Sequence, residues 1–184
     1  MYKLSPHFVA FSQLSPVRQE YSDAVKSIIA LLVNGWNAPT DLKQILQANH
    51  IGVVESLKIE ALDMLVAYAW YILEDHHINE AEYADFIALK RVFKVKEGDF
   101  FKFRQSELQD ILRVQFYKIY SDDRVDTIEA LTKVNLQSLF DLSYEQFELF
   151  KQDSVIFSLL KGADPLQLDI ANVSKDWLRK WPRQ

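Results

Sequence analysis

Nine consecutive residues, Glu74-Asp75-His76-His77-Ile78-Asn79-Glu80-Ala81-Glu82, gather four carboxylates, two imidazoles and a carboxamide. Oxygen groups packed this densely suit a hard cation such as Ca²⁺ or Mg²⁺. Imidazoles suit zinc, but the chain has no His-x-x-x-His pair of the kind that holds zinc on one helix face. The four histidines, His7, His50, His76 and His77, stand in no recognisable Ser/His/Asp setting. There are no cysteines, so thiolate metal sites and cysteine nucleophiles are excluded together. No glycine-rich loop is present to cradle a phosphate. No catalytic or organic-cofactor residues are assigned.

What must position this stretch is helical. Apolar residues recur at three- and four-residue spacing, and no segment alternates as a strand would. With 184 residues, 49% of them hydrophobic, and only four Gly and five Pro, the chain reads as a folded all-α protein. Helices are expected from Ser15 to Gly35, Ala38 to His50 and Val53 to Glu74, then over 80–94, 98–120, 127–140, 144–161 and 174–181. The expected architecture is a bundle of about seven to eight helices. Its parts are an N-terminal helical extension packed on the core (1–52), a duplicated helical domain (53–161), and a C-terminal loop with a short helix (162–184).

The duplication comes from laying residues 63–103 on 110–150, an offset of 47 without a gap. Asp63 meets Asp110, Leu65 meets Leu112 and Ile72 meets Ile119. Asp75 falls on Asp122, Glu82 on Glu129 and Leu89 on Leu136. Phe93, Phe100 and Phe103 fall on Phe140, Phe147 and Phe150. The unit is a helix, an acidic corner, a second helix, and a Phe-x-x-Phe pair opening the next. The repeated apolar residues are expected to pack the two copies together.

Both corners read Asp-x-x-(Ile/Val)-(Asn/Asp)-x-x-Glu: Asp75, Ile78, Asn79, Glu82, then Asp122, Val125, Asp126, Glu129. Asn79 with Glu82, and Asp126 with Glu129, have capping-box spacing, and Ile78 and Val125 stand at the staple position. Capping does not require Asp75 or Asp122. Each could close an Asx turn, or join its cap residues as oxygen ligands for a cation. The candidate metal set is therefore Asp75, Asn79, Glu82, Asp122, Asp126 and Glu129, with Ca²⁺ or Mg²⁺ preferred over Zn²⁺. The histidines have no counterpart in the second copy, where Asp123 and Arg124 stand.

A duplicated all-helical unit with a corner of the form Asp-Gly-x-Ile-(Asp/Ser/Thr)-x-x-Glu resembles the TerB-like (tellurite-resistance protein B-like) domain, over residues 53–160. "DHHINEAE" and "DRVDTIE" stand for that corner, with His76 and Asp123 where the pattern has Gly. The resemblance implies a non-enzymatic module of bacterial stress response. It also implies a metal at the acidic corners and membrane-associated or multiprotein partners. The alternative is a helical adaptor in which the corners are only caps.

A net charge of −5 argues against non-specific nucleic-acid binding. No apolar run is long enough for a signal peptide or a bilayer span, so a soluble cytoplasmic protein with a protein partner is expected. Trp177 and Trp181, four apart among Lys175, Arg179, Lys180 and Arg183, would either dock a terminal helix or bind a partner or anionic surface.

Overall fold

The computed structural model describes residues 3–14, 21–36, 39–120, 125–164 and 168. Among them every regular element is helical. In chain order these are α1 (Pro6–Ser12), α2 (Asp23–Asn34), α3 (Pro39–Ala48), a 3₁₀ turn (Val54–Leu57), α4 (Lys58–Ile72), α5 (Glu80–Val92), α6 (Asp99–Phe103), α7 (Gln105–Ile119), α8 (Thr127–Leu139) and α9 (Tyr144–Leu160). No helix among the described residues is long and apolar enough to cross a membrane. The expected helix over 174–181, with Trp177 and Trp181, lies outside the described residues.

The structure corrects several expected boundaries. α1 was not anticipated, although Ser5-Pro6 writes its start: Ser5 caps and Pro6 fills the first turn, where a missing N–H costs nothing. The expected helix from Ser15 to Gly35 is interrupted at Ser22, whose backbone is extended and whose hydroxyl accepts from the Val25 amide at 3.4 Å, so α2 starts at Asp23; residues 15–20 lie outside the described residues. The helix expected from Val53 is a 3₁₀ turn followed by α4. The segment 98–120 breaks at Arg104, whose backbone leaves the helical region.

The chain forms two compact units: residues 1–108 with 139–141, and residues 109–138 with 142–184. In the first, α4 is the central element. Ala61, Leu62, Met64, Leu65, Tyr68 and Ala69 on it are fully buried, while Ile59, Asp63 and Trp70 stand on its exposed side. Phe8 meets the Tyr68 ring edge-on at 4.9 Å, and Phe11 lies 5.1 Å from Tyr68 and 5.5 Å from Tyr71. Phe86, Phe100 and Phe140 form a second aromatic group at 5.3–5.9 Å. Each such pair adds about 0.5–1.5 kcal/mol beyond area burial. Phe103, expected in the core with these rings, is instead 37% exposed. It ends the five-residue α6, one residue before the break, so its helical face turns outward.

In the second unit, Phe116 meets Phe147 edge-on at 5.2 Å, and Leu136 and Val155 are fully buried. The Ser158 hydroxyl donates to the Tyr120 carbonyl at 3.3 Å, which ties α9 to the end of α7.

Local geometry recurs at the offset of 47. The bounds of α5, Glu80 and Val92, become those of α8, Thr127 and Leu139. The Val95 amide donates to the Lys90 carbonyl at 2.9 Å; the Leu142 amide donates to that of Gln137 at 3.1 Å. Lys94 and Asp141 both take left-handed backbone, φ 52° and 50°. The Lys96 amide donates to the Asp99 carboxylate at 2.7 Å; the Ser143 amide donates to the Gln146 side chain at 3.0 Å.

Candidate functional site: the acidic corners

The first corner begins where α4 stops. Leu73 closes the helix through its amide to Ala69, and the His76 amide then donates to the Leu73 carbonyl at 3.1 Å. His76 adopts φ 61°, in the left-handed region where a Cβ is strained. Glycine would take this conformation without that strain. Asp75 then accepts from the His77 amide at 3.0 Å, closing an Asx turn.

Next comes the cap of α5. Asn79 Oδ1 accepts from the Glu82 amide at 3.0 Å, and Glu82 Oε2 accepts from the Asn79 amide at 3.0 Å. This is a closed capping box, worth about 1 kcal/mol. The other Glu82 oxygen pairs with His7 Nδ1 at 2.8 Å, the Glu side chain 6% exposed and the His 60%. Ile78 is buried beneath the corner.

The second corner repeats the box. Asp126 Oδ1 accepts from the Glu129 amide at 2.8 Å, and Glu129 Oε2 accepts from the Asp126 amide at 2.9 Å. Asp122, with Asp123 and Arg124, lies outside the described residues.

These bonds bear on the cation chemistry that the residue types allow. At the first corner, Asn79 Oδ1 and both oxygens of Glu82 already have partners, as does one oxygen of Asp75. A Ca²⁺ site needs six to eight oxygens facing inward, and this donor set faces backbone amides and His7 instead. Among the described residues, no three His, Asp or Glu side chains are grouped closely enough to share a metal ion.

Sequence reasoning missed the most buried acid of the region, Asp85. It accepts from the Ser5 amide at 3.0 Å, the Ser5 hydroxyl at 2.5 Å and the Tyr68 hydroxyl at 3.2 Å. A fully buried carboxylate needs such partners. Ser5 and His7 therefore hold α1 to α5 through Asp85 and Glu82. Together they are not a nucleophilic triad: the serine hydroxyl donates to a carboxylate, and the histidine meets a second carboxylate. The Ser-Pro dipeptide announced the helix start, but nothing in the sequence announced its partner 80 residues away.

One more feature belongs to α8. Its exposed positions are Thr127, Ile128, Ala130, Leu131, Val134 and Ser138, and none is charged. Ile128, Leu131 and Val134 are 67%, 59% and 61% exposed. Three large apolar side chains at i, i+3 and i+6 form a stripe of the kind that marks an interaction surface.

Fold and site thus define an all-α protein whose acidic corners start helices. Comparison with protein-family models, with curated proteins and with solved structures finds no match for the chain.

Proposed function

We propose that this protein is a non-enzymatic helical interaction module of TerB-like type. Residues 63–103 and 110–150 are duplicated units, the corners are caps, and the outer face of α8 receives a partner helix. The uncharged stripe Ile128, Leu131, Val134 carries this reading. Its chemistry calls for an amphipathic helix from the partner, presenting an apolar face at i, i+3 and i+4 spacing. An internal precedent favours a helix. At the offset of 47, Leu131 and Val134 correspond to Ala84 and Ile87 on α5, which are half-buried and share a cleft with Leu32 and Trp36 at the end of α2. The second unit has the same position bare.

The test is capture of partners from a cell extract by the native chain and by Leu131→Glu and Asp75→Asn. Proteins captured by the native chain and by Asp75→Asn, but lost with Leu131→Glu, support the proposal. An unchanged set with Leu131→Glu overturns the α8 face. In parallel, millimolar Ca²⁺, Mg²⁺, Mn²⁺ or Zn²⁺ is expected to leave Tm unchanged. A ligand that binds only the folded state at 100 times its Kd would stabilise by about 2.7 kcal/mol, so a clear rise would restore a cation to the corners.

A further inference from the structure

We infer that the first unit holds a binding site for a small amphipathic carboxylate, in the cleft between α5 and the end of α2. The cleft has a volume of about 580 Å³, within the range of small-molecule sites. Helical spacing builds it. Ala84 and Ala88, one turn apart, leave a trough along α5 because their side chains stop at Cβ. Tyr83, Ile87 and Arg91, also at steps of four, form one bank; Leu32 and Trp36 form the other. From Tyr83 to Val92 the trough runs about 14 Å at 1.5 Å per residue.

The walls specify the ligand. Among the described residues that line the cleft, Arg91 is the only charged one, and no acid faces it there. Its neighbours are already engaged: Lys90 is clamped by the Leu139 carbonyl at 3.1 Å and Asp141 at 2.5 Å, and Lys94 pairs with Glu55 at 2.8 Å. The Arg91 guanidinium has no ion pair among the described residues. It is exposed at the C-terminal end of an apolar trough, so its planar fork can take a carboxylate in two hydrogen bonds. One cation and no second cationic wall select a single-charge head over a phosphate dianion. The long apolar trough selects a medium alkyl chain or an aryl body. This inference rests on Arg91 and the alanine trough, and not on the exposed stripe of α8.

The test uses the full chain with decanoate as probe, followed by calorimetry, with decyltrimethylammonium as the same chain bearing the opposite charge. Decanoate is expected to bind saturably at one site, and the ammonium compound at least tenfold more weakly. Arg91→Gln, at an exposed position, should weaken decanoate about tenfold, the loss of roughly one charged contact. Ala88→Leu, which fills the trough, should abolish binding while the helical circular dichroism stays native. Trp36 fluorescence should change on binding in the native chain, and the change should vanish in Trp36→Phe. Absence of saturable heat, equal binding of both amphiphiles, or native affinity in Arg91→Gln overturns the inference.

Discussion

The two acidic corners share a helix cap and differ in what is built around it. Both close a capping box at the start of a thirteen-residue helix. Around the first, α1 is tied down: Ser5 to Asp85, His7 to Glu82, and Phe8 and Phe11 against Tyr68. At the second, the residue equivalent to Asp85 is Thr132, whose hydroxyl only bonds back to the Ile128 carbonyl at 3.0 Å within its own helix. Where the outer face of α5 shares a cleft with α2, that of α8 is exposed and apolar. The same helix start can thus serve a tethered surface or an open one. The residues that decide which are the ones that do not repeat.

The largest way to test this contrast is Asp85→Ala. It leaves the Ser5 amide and the Tyr68 hydroxyl without their carboxylate, at about 1–3 kcal/mol for each buried group left unsatisfied. A loss of about 3 kcal/mol is expected in urea unfolding, against no more than about 0.5 kcal/mol for the surface change Thr132→Ala. Equal losses would erase the distinction between tethered and open corner.

A second contrast concerns Asp99 and Gln146, 47 residues apart, which make the same reach-back bond to a backbone amide three residues before them. Partial burial of Asp99 opposes its charge, but hydrogen bonds from Lys58 and the Lys96 amide outweigh it and hold the carboxyl below its ordinary value of 3.8. A depressed folded pKa contributes stability above the unfolded value and loses it as pH falls through the folded value. Asp99→Asn should therefore cost about 2 kcal/mol at pH 7, the scale of a charged hydrogen bond, and progressively less below about pH 4. Gln146→Ala should cost the same at both pH values, since an amide does not titrate. Urea melts at pH 7 and pH 3 distinguish them.

The caps themselves should be alike. Asn79→Ala and Asp126→Ala are each expected to lower stability by about 1 kcal/mol, and a cost at one corner alone would mean that only that box matters. The smallest effect is a gain. His76→Gly removes a Cβ from left-handed backbone and should raise stability by about 0.5–1 kcal/mol, after the extra freedom of an unfolded glycine is set against the relief of strain. A drop in Tm would show that contacts of the His76 side chain outweigh its strain.

Much of the corner was legible before any coordinates. Asn79 and Glu82, and Asp126 and Glu129, lie three apart, and a capping box is a local matter of one helical turn. The all-α class was legible for the same reason, since apolar spacing of three and four describes one helix at a time. The break at Arg104 was not, because Arg104, Gln105, Ser106 and Glu107 are all at home in a helix and only the backbone at Arg104 interrupts it. Nor was the outward position of Phe103, which follows from that break.

The sequence by itself determined the all-helical class and the caps at Asn79 and Asp126, because each depends on residues close along the chain. Tertiary structure alone decided that Glu82 spends its second oxygen on His7, and that Asp85 holds Ser5. It also decided that Ala84 and Ala88 floor a cleft below Arg91 while Leu131 and Val134 stand open to water. Those outcomes join residues far apart in sequence, and side-chain type alone does not say which distant partner satisfies a buried carboxylate or covers an apolar face.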